Sequence, residues 1–234
     1  MKHFVIVSLL APLSVISLPG MGDNSAFAGC SDSAVPGVDW SDCRKRNLIM
    51  SGSDLSDANL VGADMSSSDL RDTNLTNANV TKANLVRASL KGAKAKGADF
   101  SRILASRSDL SNSDFTDANF SKAETSRVNF SGSAFNGADM SKAEFARADF
   151  TNSDISGVNF DFSNLARADL RGARFEDAPS FNNTFMYQTR LEGLDLSKAE
   201  ELQQWQVSLA CGDEDTILPQ GIERPDNWPC ADDS

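Results

Sequence analysis

The residues able to do chemistry in this 234-residue chain are few and far apart. Four cysteines stand at Cys30, Cys43, Cys211 and Cys230, and the single histidine is His3. No two cysteines have the close spacing of zinc ligands and no histidine lies near them, so no metal is expected. An even number of cysteines behind an export signal points to disulfides, with three connectivities open. Catalysis finds little support. There is no Gly-rich phosphate loop and no nucleophile with a base beside it. Serines such as Ser101, Ser111, Ser121 and Ser131 recur at one position of a repeat, where turns want them. Carboxylates are spread throughout, so no pair stands out. The expectation is a protein with no catalytic residues, no cofactor and no small-molecule substrate.

The elements that carry these residues follow a period of five. Stepping from Met50 through Leu55, Leu60, Met65 and Leu70 to Phe185 meets 28 positions, of which 24 hold a large apolar residue. Two residues before each lies a small one, as at Ala58, Ala63, Ala78, Ala83 and Ala88, and between the two a polar one, often Asp or Asn. A helix needs a spacing near 3.6 and a lone strand a spacing of two. A period of five is a two-residue alternation broken by a corner, with the small and the large residue both pointing inward. Read with no slip of register, the repeat covers residues 48–185. Ala105 is small where a large residue belongs and Ile103 large where a small one belongs, which conserves interior volume.

Ala58-Asn59-Leu60, Ala63-Asp64-Met65, Ala83-Asn84-Leu85 and Ala168-Asp169-Leu170 resemble the motif of the pentapeptide repeat family. The resemblance implies an all-β protein, a right-handed quadrilateral β-helix, here of about seven coils. It does not imply one function. A second period, of twenty, supports four sides independently. Two adjacent corner columns are basic: Lys82, Arg102, Lys122 and Lys142 in one, Arg87, Arg107, Arg127, Arg147 and Arg167 in the other. The remaining two hold only Gly, Asn and Asp, among them Gly92, Asn112, Gly132 and Asn152, and Gly97, Asp117 and Gly137. Those residue types tolerate positive φ, so these two columns are expected to make left-handed turns and the basic columns ordinary ones. Acids two residues after many bases (Glu124 after Lys122, Glu144 after Lys142, Asp109, Asp149 and Asp169 after Arg107, Arg147 and Arg167) suggest that the basic ladder is a surface lattice of ion pairs.

Both ends of such a tower need covers. Residues 29–47 form an expected N-terminal cap. Residues 186–234 form an expected C-terminal cap, with a short helix near 198–210 opened by Ser197-Lys198-Ala199-Glu200 as a capping box. A tower of about 34 Å at ~4.8 Å per rung separates the two cysteine pairs, whereas bridged Cα atoms lie ~4.4–6.8 Å apart. Cys30–Cys43 and Cys211–Cys230 are therefore the expected bonds.

Residues 1–28 read as a signal peptide: a basic start at Lys2, an apolar run from Phe4 to Leu18, and Ala26-Phe27-Ala28 before the cut. The expected address is periplasmic or secreted; lipid attachment at Cys30 is a weaker alternative. No later stretch is apolar enough to be expected to span a membrane. A net charge of −11 argues against nucleic acid as a ligand. Pentapeptide repeat proteins that mimic DNA and bind topoisomerases offer a second function class. Export disfavours it, as does the near balance of 18 acids and 15 bases over residues 48–185. The leading expectation is a non-enzymatic scaffold of the envelope that binds an unknown protein or itself. The flat face of Gly92, Asn112, Gly132, Asn152, Gly97, Asp117 and Gly137 is the first candidate surface, and the ladder Arg87, Arg107, Arg127, Arg147 and Arg167 the alternative.

Overall fold

A computed structural model describes residues 29–230; the signal and cleavage assignments lie outside them. The chain coils as a right-handed β-helix, with one short α-helix near its C-terminus. Its edges are single-residue parallel bridges, each joining a residue to the one 20 positions on, as in Asp39↔Asn59, Arg44↔Asp64, Ile49↔Asp69 and Asp54↔Asn74. Four such bridges per coil give the tower four sides.

The accounting of backbone hydrogen bonds explains why five residues suffice for each side. In the repeat 58–62, Asn59 N–H donates to Val38 one coil below, and Leu60 N–H donates to Asn79 one coil above. Gly62 N–H also donates upward, to Thr81, while Ala63 N–H closes the corner onto Leu60. Only the first corner residue, Val61, has no backbone acceptor. Its N–H donates to Asn59 Oδ1. The same Asx bond recurs as Ser101 to Asp99, Ser121 to Asn119 and Ser141 to Asp139. The preference for Asp or Asn between the two inward residues thus answers to an orphan donor at every corner.

The interior is filled by stacked columns. Phe100 lies over Phe120 at 4.9 Å and 5°, and Phe130 over Phe150 at 5.0 Å and 22°. Ile103, Ala105 and Thr125 are all fully buried, and Thr125 Oγ1 donates to the Glu144 carbonyl, so this thinner stretch of core leaves its hydroxyl satisfied.

The expectation of an unbroken register to Phe185 is corrected. The step becomes 21 at Asn159↔Ser180, Asn164↔Phe185 and Asp169↔Arg190, where Phe160 stacks on Phe181 at 5.4 Å; beyond them Ser180↔Glu200 is again 20 apart and Asp195↔Ile217 is 22. Phe181, Met186, Leu191 and Leu196 are the buried residues, while Phe185 is 44% exposed. The extra residue falls at a three-residue corner, Glu176-Asp177-Ala178. Pro179 then takes the small inward position, whose N–H would reach only its own corner, so the missing donor costs no rung. Bridging extends past the expected repeat at both ends, from Asp39 to Ile217. Trp40, assigned to the cap by sequence, is an inward residue of the first coil, 2% exposed, with Lys45 Nζ 3.7 Å from its ring centroid.

The helix, α1, is shorter than expected, Gln204–Leu209. Its capping box is Gln203 with Gln206, and the Ser197–Glu200 segment belongs instead to a coil, Glu200 bridging to Ser180. Gln206 is fully buried and its amide donates to the Phe181 and Thr184 carbonyls, capping the open edge of the coil below. Both expected disulfides form, Cys30–Cys43 and Cys211–Cys230, each with Cα atoms 5.4 Å apart. Trp228 lies on Gly212, where a Cβ would overlap its ring, and donates from Nε1 to the Ala210 carbonyl.

Candidate functional site

The corner columns differ from the expectation in a way that bears on function. All four make left-handed turns. Lys82, Arg87, Arg102, Arg107, Lys122, Arg127, Lys142, Arg147 and Arg167 have φ between 58° and 61°, like the Asn and Asp corners. The inter-coil bond donated by this residue, for example Arg127 N–H to Ala146, fixes the conformation and overrides side-chain preference.

The Gly, Asn and Asp columns have an internal explanation. The Asn112 side chain folds over Gly132, where a Cβ would lie 2.7 Å from its Oδ1. Asp117 covers Gly137 in the same way, at 2.9 Å, and Asn77 covers Gly97. Where an Asx side chain folds over the next rung in this way, glycine leaves it room; Asp57 is instead followed by Asn77, which stacks on it and donates from Nδ2 to its Oδ1 at 3.3 Å, so packing within the tower accounts for the composition of this face.

The basic ladder has no such account. Arg87, Arg107, Arg127, Arg147 and Arg167 occupy strained corners and are exposed. The expected ion-pair lattice does not form: Lys122–Glu124, Lys142–Glu144, Arg107–Asp109, Arg147–Asp149 and Arg167–Asp169 are all absent from the ion pairs among the described residues. The Asx bond explains the arginine cases. Asp109 accepts from Ser111 N–H, Asp149 from Thr151 and Asp169 from Arg171, so each carboxylate is drawn towards the following corner and away from the arginine before it. The reverse order does pair: Arg71 and Arg171 each follow their aspartate by two and bind it through Nη2 at 2.5 Å. The Arg71 guanidinium and its backbone N–H lower the Asp69 pKa to about 2. Of the ladder, Arg167 alone gains a side-chain partner, donating from Nε to Gln188 Oε1 at 2.8 Å.

Two pockets border the ladder. A groove of about 340 Å³ is lined by Val86, Arg87, Ser106, Arg107, Ser126 and Arg127, on the side of the first corner residues. A second, about 350 Å³, lies further along and on the other side of the ladder, between Arg147, Arg167, Asp169, Gln188, Arg190 and the Cys211–Cys230 disulfide. The first corner position stays small along its column, at Ser106, Ser126, Ala146 and Ala166. The column ends at Tyr187, whose carbonyl accepts the Arg167 N–H. Tyr187 is 43% exposed and nearly parallel to Phe185, at 13° and 6.4 Å between ring centroids. Sequence reasoning missed this pair because it placed Phe185 in the core. The signal that could have found it is Pro179, which marks the shifted corner. Among the described residues no cluster of His, Cys, Asp or Glu could hold a metal ion.

A family model described as pentapeptide repeats matches in eight copies, spanning residues 49–121 and 126–193. The chain belongs to the pentapeptide repeat family. Among solved structures, this pentapeptide repeat protein is similar to trypsin-treated QnrB1 R167E, a plasmid-mediated fluoroquinolone resistance protein. That match has 15% identity and a TM-score of 0.55, over 76% of this chain and 90% of the other. HetL, a pentapeptide repeat protein involved in heterocyst differentiation regulation from Nostoc sp. strain PCC 7120, matches at 19% identity and a TM-score of 0.31. It covers 86% of this chain and 95% of its own. At these identities the likeness concerns the fold. A search of curated proteins returns no match.

Proposed function

We propose that the protein is a non-enzymatic exported scaffold that docks an anionic partner along the arginine groove. One observation carries this reading. Five arginines stand in corners where Gly or Asn would be less strained, and four of them gain no side-chain hydrogen bond or ion pair among the described residues in return. A local rule broken without internal compensation marks a functional surface. The flat Gly, Asn and Asp face remains the second candidate, for self-association, since its short side chains lose little entropy on docking. Two disulfides support an oxidising compartment. Mimicry of DNA fits less well, because a mimic needs dense negative charge along the tower, where this one carries two basic columns.

The test sets Arg107→Asn/Arg127→Asn/Arg147→Asn against Thr116→Arg/Asn136→Arg on the flat face, which leaves every glycine in place. With mature protein as bait in an extract of its own compartment, the arginine variant is expected to lose the wild-type partner and the flat-face variant to keep it. The opposite pattern would assign docking to the flat face. Intact mass of the exported chain is expected to show Gly29 at its start and no lipid on Cys30.

A further inference from the structure

We infer that the groove, together with Phe185 and Tyr187, binds a linear uronic-acid polysaccharide. The inference rests on the groove being the docking surface and names what lies in it. Three features converge. The ladder presents one guanidinium per rung, at ~4.8 Å, so five rungs span roughly 19 Å in a straight line. A pyranose ring advances its chain by a length comparable to one rung, so the carboxylates that recur on one side of a uronic-acid polymer every second or third ring fall near whole multiples of the rung spacing. Guanidinium is the side chain best matched to a carboxylate, through paired N–H donors.

The second feature is the shape of the channel. Val86, Ser106 and Ser126 line it beside the arginines, which leaves room for a thin chain and supplies hydroxyls to it; the same column continues with the small residues Ala146 and Ala166. The third is the aromatic pair at the end of that column. The faces of a sugar ring carry C–H groups, which pack on exposed aromatic faces, and aromatic rings with a polar tip suit a site that is wet on one side. Tyr187 stands directly above Ala166 in that column, with Phe185 beside it.

Other polyanions match less well. An extended peptide advances ~3.3 Å per residue with successive side chains on opposite sides, so its one-sided repeat falls out of step with the rungs. Duplex nucleic acid carries a phosphate charge per ~1.7 Å of axis and needs more neutralisation than one basic ladder supplies. The acids near the groove temper the attraction. Glu124 and Glu144 lie between the two basic columns, and Asp109, Asp149 and Asp169 lie beside the ladder, turned towards the following corner.

The experiment is affinity electrophoresis of mature protein in native gels containing polygalacturonate, neutral dextran or polyglutamate. Retardation by polygalacturonate is expected, with none in dextran and at least tenfold weaker binding to polyglutamate. Arg107→Asn/Arg127→Asn/Arg147→Asn should weaken polygalacturonate binding tenfold or more, and Phe185→Ala/Tyr187→Ala several-fold. Asparagine suits the corner conformation and both aromatics are exposed, so each variant should fold; retained thermal unfolding confirms it. Equal retardation by polyglutamate, unaffected by loss of the aromatics, would overturn the polysaccharide assignment while leaving the groove as an anion-docking surface. Absence of retardation by polygalacturonate at low salt would overturn it as well. If the triple arginine variant binds polygalacturonate like the wild type, and also keeps the partner captured from its compartment, the groove reading fails too.

Discussion

An arginine at φ near 60° costs stability, and at Arg107, Arg127 and Arg147 that cost is met three times in one column. Function and stability should therefore separate at these positions. Each Arg→Asn change is expected to stabilise the tower by about 0.5–1 kcal/mol, because Asn enters the left-handed region more readily. Denaturant unfolding checks this; a loss of stability would mean that the arginines hold the coil together. At Gly132 the reasoning runs the other way. Gly132→Ala meets both the positive φ and the Asn112 oxygen, and should destabilise by about 1–2 kcal/mol. Asn112→Ala in the same chain should recover the steric part, which a double-mutant cycle would show. The basic and glycine columns were both visible in the sequence. Their shared backbone conformation was not, because it is imposed by inter-coil hydrogen bonds and not by the residues that adopt it.

Most repeats are two-residue turns fastened by an aspartate or asparagine side chain, and where it is an aspartate that fastening titrates. Asp39, Asp54 and Asp195 have lowered pKa values because Ser41, Ser56 and Ser197 donate to them, and Asp69 is held near 2 by Arg71. A folded-state pKa below the unfolded value of ~3.9 stabilises above that value, and the gain is lost as pH falls towards 2. The thermal midpoint is thus expected to drop between pH 4 and pH 2, and to drop less in Asp54→Asn/Asp69→Asn, where an amide oxygen keeps accepting the corner N–H. Core packing gives a second contrast. Phe130→Ala should cost ~3–5 kcal/mol, and Phe185→Ala, on the surface, well under ~1 kcal/mol. Equal losses would restore the unbroken register. The five-residue period was legible because one inward residue per side must be large. The slip at Glu176-Asp177-Ala178 was not, because Phe185 has the right type for the core and only the ladder of hydrogen bonds decides which of two neighbouring residues turns inward. The short helix was misplaced for a related reason: Ser197 and Glu200 look like a cap locally, yet Glu200 is taken by its bridge to Ser180.

At the scale of the whole molecule, the two ends are closed differently. The first coil stacks Trp40 under Lys45, while the last is sealed by α1, Gln206 and Trp228. The Cys211–Cys230 bond closes a separation of 19 residues over that lid, and removing it as Cys211→Ala/Cys230→Ala should cost about 3 kcal/mol. Peptide mapping without reduction should recover only the two bonds seen here. The disulfides could be assigned from sequence because tower height forbids the alternatives; the groove could not, because it depends on which way an aspartate leans. The twenty-residue coil also sets a rule for how such a chain can change length. Loss or gain of five residues would turn everything beyond it by a quarter, bringing arginines round to the glycine side and breaking the channel. Loss of twenty, for instance residues 106–125, joins Ala105 to Ser126 in equivalent places and only shortens the groove by one arginine. Lineages carrying this architecture should then differ in size by whole coils, and each coil added in register would lengthen the run of matched charges by one, making the tower a ruler whose grip on a long polymer is graded by its own height.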